Sequence, residues 1–189
     1  QSINLREKIH NYKKTLRNLG ECGLRTVCYN FMPVLDWSRT NLIYKFSDNS
    51  EVTRFEFANL VAFDIHILKR EDAEKSYPED VVRKAEELFR ELNTEEIENL
   101  TQTVLLGLPG SLEAFTLEGL RDVLSSYKDI DCQKLKSNLF FFLNEILPVA
   151  EETGIHLAIH PDDPPGRMLV VLDDAWKLNL VLSVLRPGA

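Results

Sequence analysis

Twice in this chain a long segment with helical periodicity leads through glycine into a short, apolar segment with little charge. Residues 3–19 carry apolar side chains at mostly helical spacings, and two glycines separate them from the β-branched stretch 25–30. Residues 131–153 show the same order, followed by the apolar stretch 154–160. Short apolar stretches with little charge are typical of strands in a buried parallel sheet. The repeated helix–glycine–strand unit therefore predicts an α/β fold.

Between these units the pattern predicts a loop, a β-hairpin and several helices. Residues 41–57 alternate around an Asp-Asn-Ser turn, which indicates a hairpin, and residues 57–68 fit a mostly buried helix. Proline, acidic residues and apolar spacing predict helices over residues 78–127, the second with Thr94 as its N-cap. We interpret 78–127 as a long helical insertion within a single domain, residues 1–189.

Charge, hydropathy and cysteine content limit the kinds of partner and the cellular location that we expect. The chain has 22 Lys and Arg against 30 Asp and Glu, a formal net charge of −8, which argues against nucleic acid or an anionic membrane as partner. No run approaches the ~20 apolar residues of a membrane span, and no signal-peptide pattern opens the chain. Three cysteines do not form a disulfide framework. We therefore expect a cytoplasmic protein.

Polar residues follow both predicted parallel strands at the edge where α/β proteins bind ligands. Tyr29 and Asn30 end the first strand, and His160 ends the second, with Asp162 and Asp163 close behind. An imidazole beside carboxylates is a starting point for a metal or sugar site. The alternative is a hydrogen-bonded structural histidine followed by a proline-fixed turn.

Other reactive side chains have simpler explanations. Arg39, in the loop after the first strand, either binds the carboxylate of a sugar acid or is exposed beside a packed tryptophan. Cys28 and Cys132 are expected to fill small spaces in the core. His66 lies in an apolar helix, where we expect it to satisfy a core hydrogen bond rather than bind metal.

Two stretches carry a specific resemblance to a known family. Residues 28–40 and 157–165 closely resemble signature stretches of mannonate dehydratases, and residues 63–70, 106–110 and 127–131 are similar to the same family, in the same order. The resemblance implies a (β/α)8 TIM barrel of the xylose-isomerase-like kind. At 189 residues the chain is shorter than the roughly 250 residues of a complete barrel, so we expect part of one.

The resemblance also implies an activity. Mannonate dehydratases are hydro-lyases that convert D-mannonate to 2-dehydro-3-deoxy-D-gluconate in hexuronate and glucuronate catabolism, with a divalent metal, usually Mn²⁺ and alternatively Fe²⁺. A cation can stabilise the enediolate formed when a proton beside the carboxylate is removed, and an acid helps the β-hydroxyl leave.

The resemblance assigns roles to several residues of this chain. His160 falls on a family metal ligand, and Tyr29 and Asn30 fall on a motif that orients the substrate. Asp162 and Asp163 are candidates to bind substrate hydroxyls or metal-bound water. The other ligands and the catalytic acid and base belong to the family's second half, so no catalytic residue is assigned here. We expect a homo-oligomer.

Two other interpretations stay open. One is a metal-dependent sugar isomerase or epimerase on the same barrel, since one fold supports many reactions. The other is a catalytically incomplete fragment or interaction module. For the 189-residue chain alone we expect no turnover.

Overall fold

The computed structural model describes residues 4–31, 34–35, 38–106 and 116–160. These residues form helices and strands that alternate along parts of the chain, as expected for an α/β protein. Contacts between Cα atoms divide the chain into two compact units. Of the described residues, the first unit contains 4–31 and 130–160, and the second contains 34–106 and 116–129.

The first unit is built around a parallel pair of strands. β1 (Thr26–Tyr29) pairs with β4 (His156–Ile159), with Thr26 opposite His156 and Tyr29 opposite Ile159. Each strand follows a long helix, α1 (Leu5–Glu21) and α6 (Cys132–Thr153) respectively. The parallel arrangement predicted from the helix–glycine–strand repeat is thus confirmed.

Glycine at a positive φ makes each of these two turns possible. Gly23 (φ +81°) lies between α1 and β1, and Gly154 (φ +66°) caps α6 before β4. The amide of Gly154 donates to the carbonyl oxygen of Glu151, which is typical of a left-handed helix cap.

Only one face of the β1–β4 pair is covered by described residues. α1 and α6 pack on the face that carries Tyr29, where they form a hydrophobic cluster. Its fully or nearly buried members are Leu16, Tyr29, Leu139, Leu143, Ile146, Val149, Ala150 and Ile155. Salt bridges from α1 to α6 border the cluster, Lys13 to Glu145 at 2.6 Å and Arg17 to Glu152 at 3.4 Å.

The opposite face of the pair is exposed, whereas the sequence predicted strands of a buried sheet. Thr26 and Cys28 on β1 and His156 and Ala158 on β4 are exposed, because side chains alternate along a strand and the helices cover only one face. The prediction that Cys28 fills the core is therefore wrong. The side chain of Cys132 lies outside the described part of the structure.

The second unit begins with the predicted β-hairpin. β2 (Asn41–Lys45) and β3 (Glu51–Arg54) are antiparallel, and a register shift interrupts their pairing between Asn41 and Tyr44. In the turn, the Asp48 carboxylate accepts hydrogen bonds from the amide and the hydroxyl of Ser50, at 2.9 and 2.7 Å. This side-chain bond to residue i+2 is the reason why Asp favours such turns.

The helices of the second unit follow the predicted segments closely. α2 (Phe57–Ala62) continues into a π-helix (Phe63–Leu68), so the predicted helix over 57–68 is confirmed with a wider last turn. After a 3₁₀ turn (Ala73–Ser76), the described residues of the predicted 78–127 segment form three helices. They are α3 (Glu79–Glu91), α4 (Thr94–Leu105) and α5 (Leu117–Ser125).

Two local expectations in this unit are wrong. The N-cap of α4 is Asn93 rather than Thr94, because the Asn93 side chain accepts from the amide of Glu96 while the Glu96 carboxylate accepts from the amide of Asn93. His66 makes no core hydrogen bond through Nε2: this buried atom has no partner among the described residues, and the ring stacks on Phe89 at 4.6 Å instead.

Within the described segments, no helix combines the length and apolar character needed to cross a bilayer.

Candidate functional site

The carboxyl ends of β1 and β4 lie side by side. The amide of His160 donates to the carbonyl oxygen of Tyr29 at 2.8 Å, which continues the parallel ladder one step past the last paired residues. Two sequence-predicted site residues from distant parts of the chain, Asn30 and His160, therefore follow adjacent strand ends. Loops that leave this edge of a parallel sheet are where α/β proteins place their ligand contacts.

Because burial of the side chains alternates along β1, the neighbouring residues Tyr29 and Asn30 have different environments. Cys28 is exposed, Tyr29 is 7% exposed, and Asn30 is exposed again. The ring of Tyr29 packs in the hydrophobic cluster, 6.4 Å from Phe142 between ring centroids. This placement favours Asn30 over Tyr29 as the residue at this strand end that can reach a ligand.

The environment of Tyr29 keeps its hydroxyl protonated. Burial raises the pKa of Tyr29 to about 12, and Tyr12 and Cys28 add to the increase. Burial also raises the pKa of Tyr12, which lies edge-on to Phe142 at 5.2 Å. A phenol with so high a pKa is poorly suited to accept a proton near neutral pH.

Arg39 belongs to the second unit, where it contacts the hairpin. Its Nη1 donates to the carbonyl oxygen of Ser38 at 2.9 Å, and its Nε donates to the Thr53 hydroxyl at 3.3 Å. The hairpin therefore supports the guanidinium group. The neighbouring Ser38 side chain is only 2% exposed, and its hydroxyl oxygen has no partner in the described part of the chain.

The described residues do not by themselves complete a metal site at the strand edge. No three His, Cys, Asp or Glu side chains among them lie close enough together to hold an ion. His160 is the single imidazole at the carboxyl ends of the paired strands, and Asp162 and Asp163 lie outside the described residues. Three or four protein ligands are usual for a tightly held transition metal, so the described set does not form such a site.

A buried ionic cluster in the second unit was not anticipated. Asp64, on the π-helix, is completely buried and accepts hydrogen bonds from Nε and Nη2 of Arg70, the shortest at 2.7 Å. The Tyr77 hydroxyl also donates to the Asp64 carboxylate at 2.7 Å. The available signal was an acidic residue inside an apolar run, since buried carboxylates are paired.

This cluster joins the π-helix to the segment after it. Burial and the adjacent Asp64 carboxylate raise the pKa of Tyr77. Arg121 of α5 donates from Nε to the carbonyl oxygen of Leu68 at 2.7 Å, which satisfies a backbone acceptor where the π-helix ends. The arrangement is suited to holding a loop, because the fully buried Asp64 carboxylate is paired with the Arg70 guanidinium and the Tyr77 hydroxyl.

Comparison with known proteins identifies the family. The family model for D-mannonate dehydratase (UxuA) matches residues 1–174. A mannonate dehydratase of Marinomonas sp. (strain MWYL1) is 46% identical over 187 residues, which is 95% of this chain and 48% of the relative. A mannonate dehydratase of Saccharophagus degradans is 39% identical over 181 residues, covering 93% of this chain and 46% of that protein.

A solved structure agrees with these relatives. The crystal structure of mannonate dehydratase from Streptococcus suis serotype 2 matches with a TM-score of 0.53 and 28% sequence identity, over 89% of this chain and 35% of that one. The chain thus spans about half the length of the curated relatives that it matches. The family match extends over most of the chain and includes both strand ends, and from this we conclude that the chain belongs to the mannonate dehydratase family.

Proposed function

We propose that this chain forms the amino-terminal part of a catalyst that dehydrates D-mannonate to 2-dehydro-3-deoxy-D-gluconate, in hexuronate and glucuronate catabolism. The observation that carries the proposal is the family match through residue 174, which includes both paired strand ends. The same match supports a (β/α)8 barrel in the complete protein, and the two helix–glycine–strand units would form part of it. A cytoplasmic location and a homo-oligomeric state belong to the same proposal.

The proposed residue roles follow from side-chain chemistry. The exposed amide of Asn30 is able both to donate to and to accept from hydroxyl groups, which suits a polyhydroxy acid. The guanidinium of Arg39 is a fork of donors that matches a carboxylate. Asp162 and Asp163 would accept hydrogen bonds from further hydroxyls. Tyr29 would contribute indirectly: its packing in the hydrophobic cluster would hold the strand end at which Asn30 lies.

His160 is proposed to bind the metal of this family. An imidazole is a good ligand for first-row divalent ions, and we propose Mn²⁺, with Fe²⁺ or another divalent cation as the alternative. When bound, such an ion supplies positive charge for an oxyanion that develops beside a carboxylate. The described residues provide one ligand, so the remaining ligands would come from elsewhere in the complete protein.

A chimera tests this function directly. The matched section of the Marinomonas mannonate dehydratase is replaced by this chain, and the product formed from D-mannonate with Mn²⁺ is analysed by mass spectrometry. We expect a keto-deoxy acid, which has lost one water. A product of unchanged mass would indicate an isomerase or epimerase, and a folded chimera without turnover would contradict the proposal.

One histidine at the start of β4 and one just past its end provide a matched pair of variants. His160→Ala should lower turnover by at least about a hundredfold, since loss of a metal ligand removes the ion's contribution. His156→Ala, at the exposed start of β4, should keep activity within about threefold. Equal activity of the two variants would contradict the assignment of His160.

A further inference from the structure

The end of the first loop is fastened to the hairpin through one buried threonine. The amide of Thr40 donates to the carbonyl oxygen of Arg54 at 2.9 Å, and its hydroxyl donates to the same oxygen at 3.3 Å. The Thr40 hydroxyl oxygen also accepts from the amide of Glu56 at 2.9 Å. With 7% of its surface exposed, Thr40 links the loop to the backbone at and just past the end of β3.

Arg39, the residue before Thr40, is the residue for which we propose carboxylate binding. Arg39 stands between Ser38 and Thr40, both buried, and its guanidinium donates to the Ser38 carbonyl and to the Thr53 hydroxyl. Thr53 lies on β3, one residue before the carbonyl group that Thr40 contacts. The backbone link and the side-chain contact therefore hold Arg39 against the same end of one strand.

We propose that Thr40 is a positioning residue, which orients the Arg39 guanidinium toward the substrate carboxylate by fixing the loop on the hairpin. The inference rests on the proposed role of Arg39 in the dehydratase reaction. An arginine that is already ordered loses less conformational entropy when it binds a carboxylate, so its orientation contributes to affinity. The hairpin has a function in this scheme, as the support of a substrate-binding side chain.

Nuclear magnetic resonance on the 189-residue chain tests the orientation itself. The heteronuclear ¹H–¹⁵N NOE of Arg39 Nε is measured in the wild type, Thr40→Val and Thr40→Ser, with the exposed Arg83 of α3 as the mobile reference. Valine keeps the shape of threonine but cannot accept from Glu56, whereas serine can. We expect the NOE of Arg39 to fall toward that of Arg83 in Thr40→Val and to remain high in Thr40→Ser.

An unchanged NOE in folded Thr40→Val overturns the proposal. If that variant unfolds, Thr40→Ala decides by the same criterion, because it removes the same hydroxyl contacts in a smaller side chain.

Kinetic measurements on the chimera test whether Thr40 affects the binding of the substrate. Thr40→Val should raise KM for D-mannonate about three- to tenfold, the fold-change that corresponds to ordering one long side chain, and should leave kcat within about twofold. Thr40→Ser should restore KM. A more mobile Arg39 with an unchanged KM overturns the proposal. An inactive chimera contradicts the proposed function instead, and the NOE then decides whether Thr40 orients Arg39.

Discussion

Asp64 shows how a single buried charge determines local structure. Its carboxylate is fully buried and is matched by the Arg70 guanidinium and the Tyr77 hydroxyl, which come from the segment after the π-helix. A buried charge is tolerated only when it is paired, so the fold of this segment depends on all three groups. The sequence showed the unusual acid within an apolar run, but its partners were not evident from spacing.

Removal of the Asp64 charge should destabilise the chain. We expect Asp64→Asn to lower the free energy of unfolding by about 3 kcal/mol, because Arg70 then lacks its buried counter-ion. Asp72→Asn is the control, since its ion pair with Lys75 is exposed and should contribute far less to stability than the buried cluster does. Urea unfolding measures both, and similar losses in the two variants would contradict a structural role for the cluster.

Tyr29 should make stability sensitive to alkali. Its pKa is raised from 10.0 to about 12, chiefly by burial, so the unfolded chain loses this proton at a lower pH than the folded chain does. The contribution is therefore complete below pH ~10 and is lost as the pH rises toward ~12. Tyr29→Phe should flatten this part of the decline in unfolding free energy. Urea titrations across the interval measure it, and an unchanged slope would argue against burial of the phenol.

At the scale of elements, capping chemistry separates two neighbouring residues. Asn93 and Glu96 form a reciprocal capping box at the start of α4, whereas Thr94 is the first residue inside the helix. Sequence reasoning selected Thr94 because threonine is a common N-cap and acidic residues follow it. Asparagine is the better cap of the two, and a displacement of one residue is within the usual uncertainty of helix boundaries.

A pair of alanine variants distinguishes the two caps. Asn93→Ala should cost about 1 kcal/mol of stability, because the amide of Glu96 loses its acceptor. Thr94→Ala should change stability by no more than about 0.5 kcal/mol, since alanine has the higher helix propensity. Chemical denaturation provides the comparison, and the opposite order of effects would restore Thr94 as the cap.

At the scale of the whole molecule, the uncovered face of the β1–β4 pair is the most informative feature. Parallel sheets are ordinarily covered on both faces, and here the face with Cys28 is exposed. The relatives are about twice as long as this chain. In the proposed barrel, strands from the rest of the protein would cover this face.

Thiol labelling tests whether the face with Cys28 is covered in the complete protein, by comparing the 189-residue chain with the chimera. In the 189-residue chain, Cys22 and Cys28 are both exposed and should both react rapidly with a maleimide. In the chimera, Cys28 should become at least about tenfold slower while Cys22 remains fast, because only Cys28 would face the barrel interior. Peptide mass spectrometry assigns the sites. Equal labelling of Cys28 in both proteins would contradict the proposed barrel.

The α/β class, the parallel strands, the hairpin, most helix positions and the family could all be predicted from the amino-acid sequence. These depend on short-range periodicity, on turn residues such as Gly154 and Asp48, and on motifs that can be read along the chain. Three features could be seen only in the folded chain: the covered face of β1, the ion pair of Asp64 with Arg70, and the attachment of Thr40 to the hairpin. These features join residues through side-chain direction and contacts in space, which local spacing does not encode.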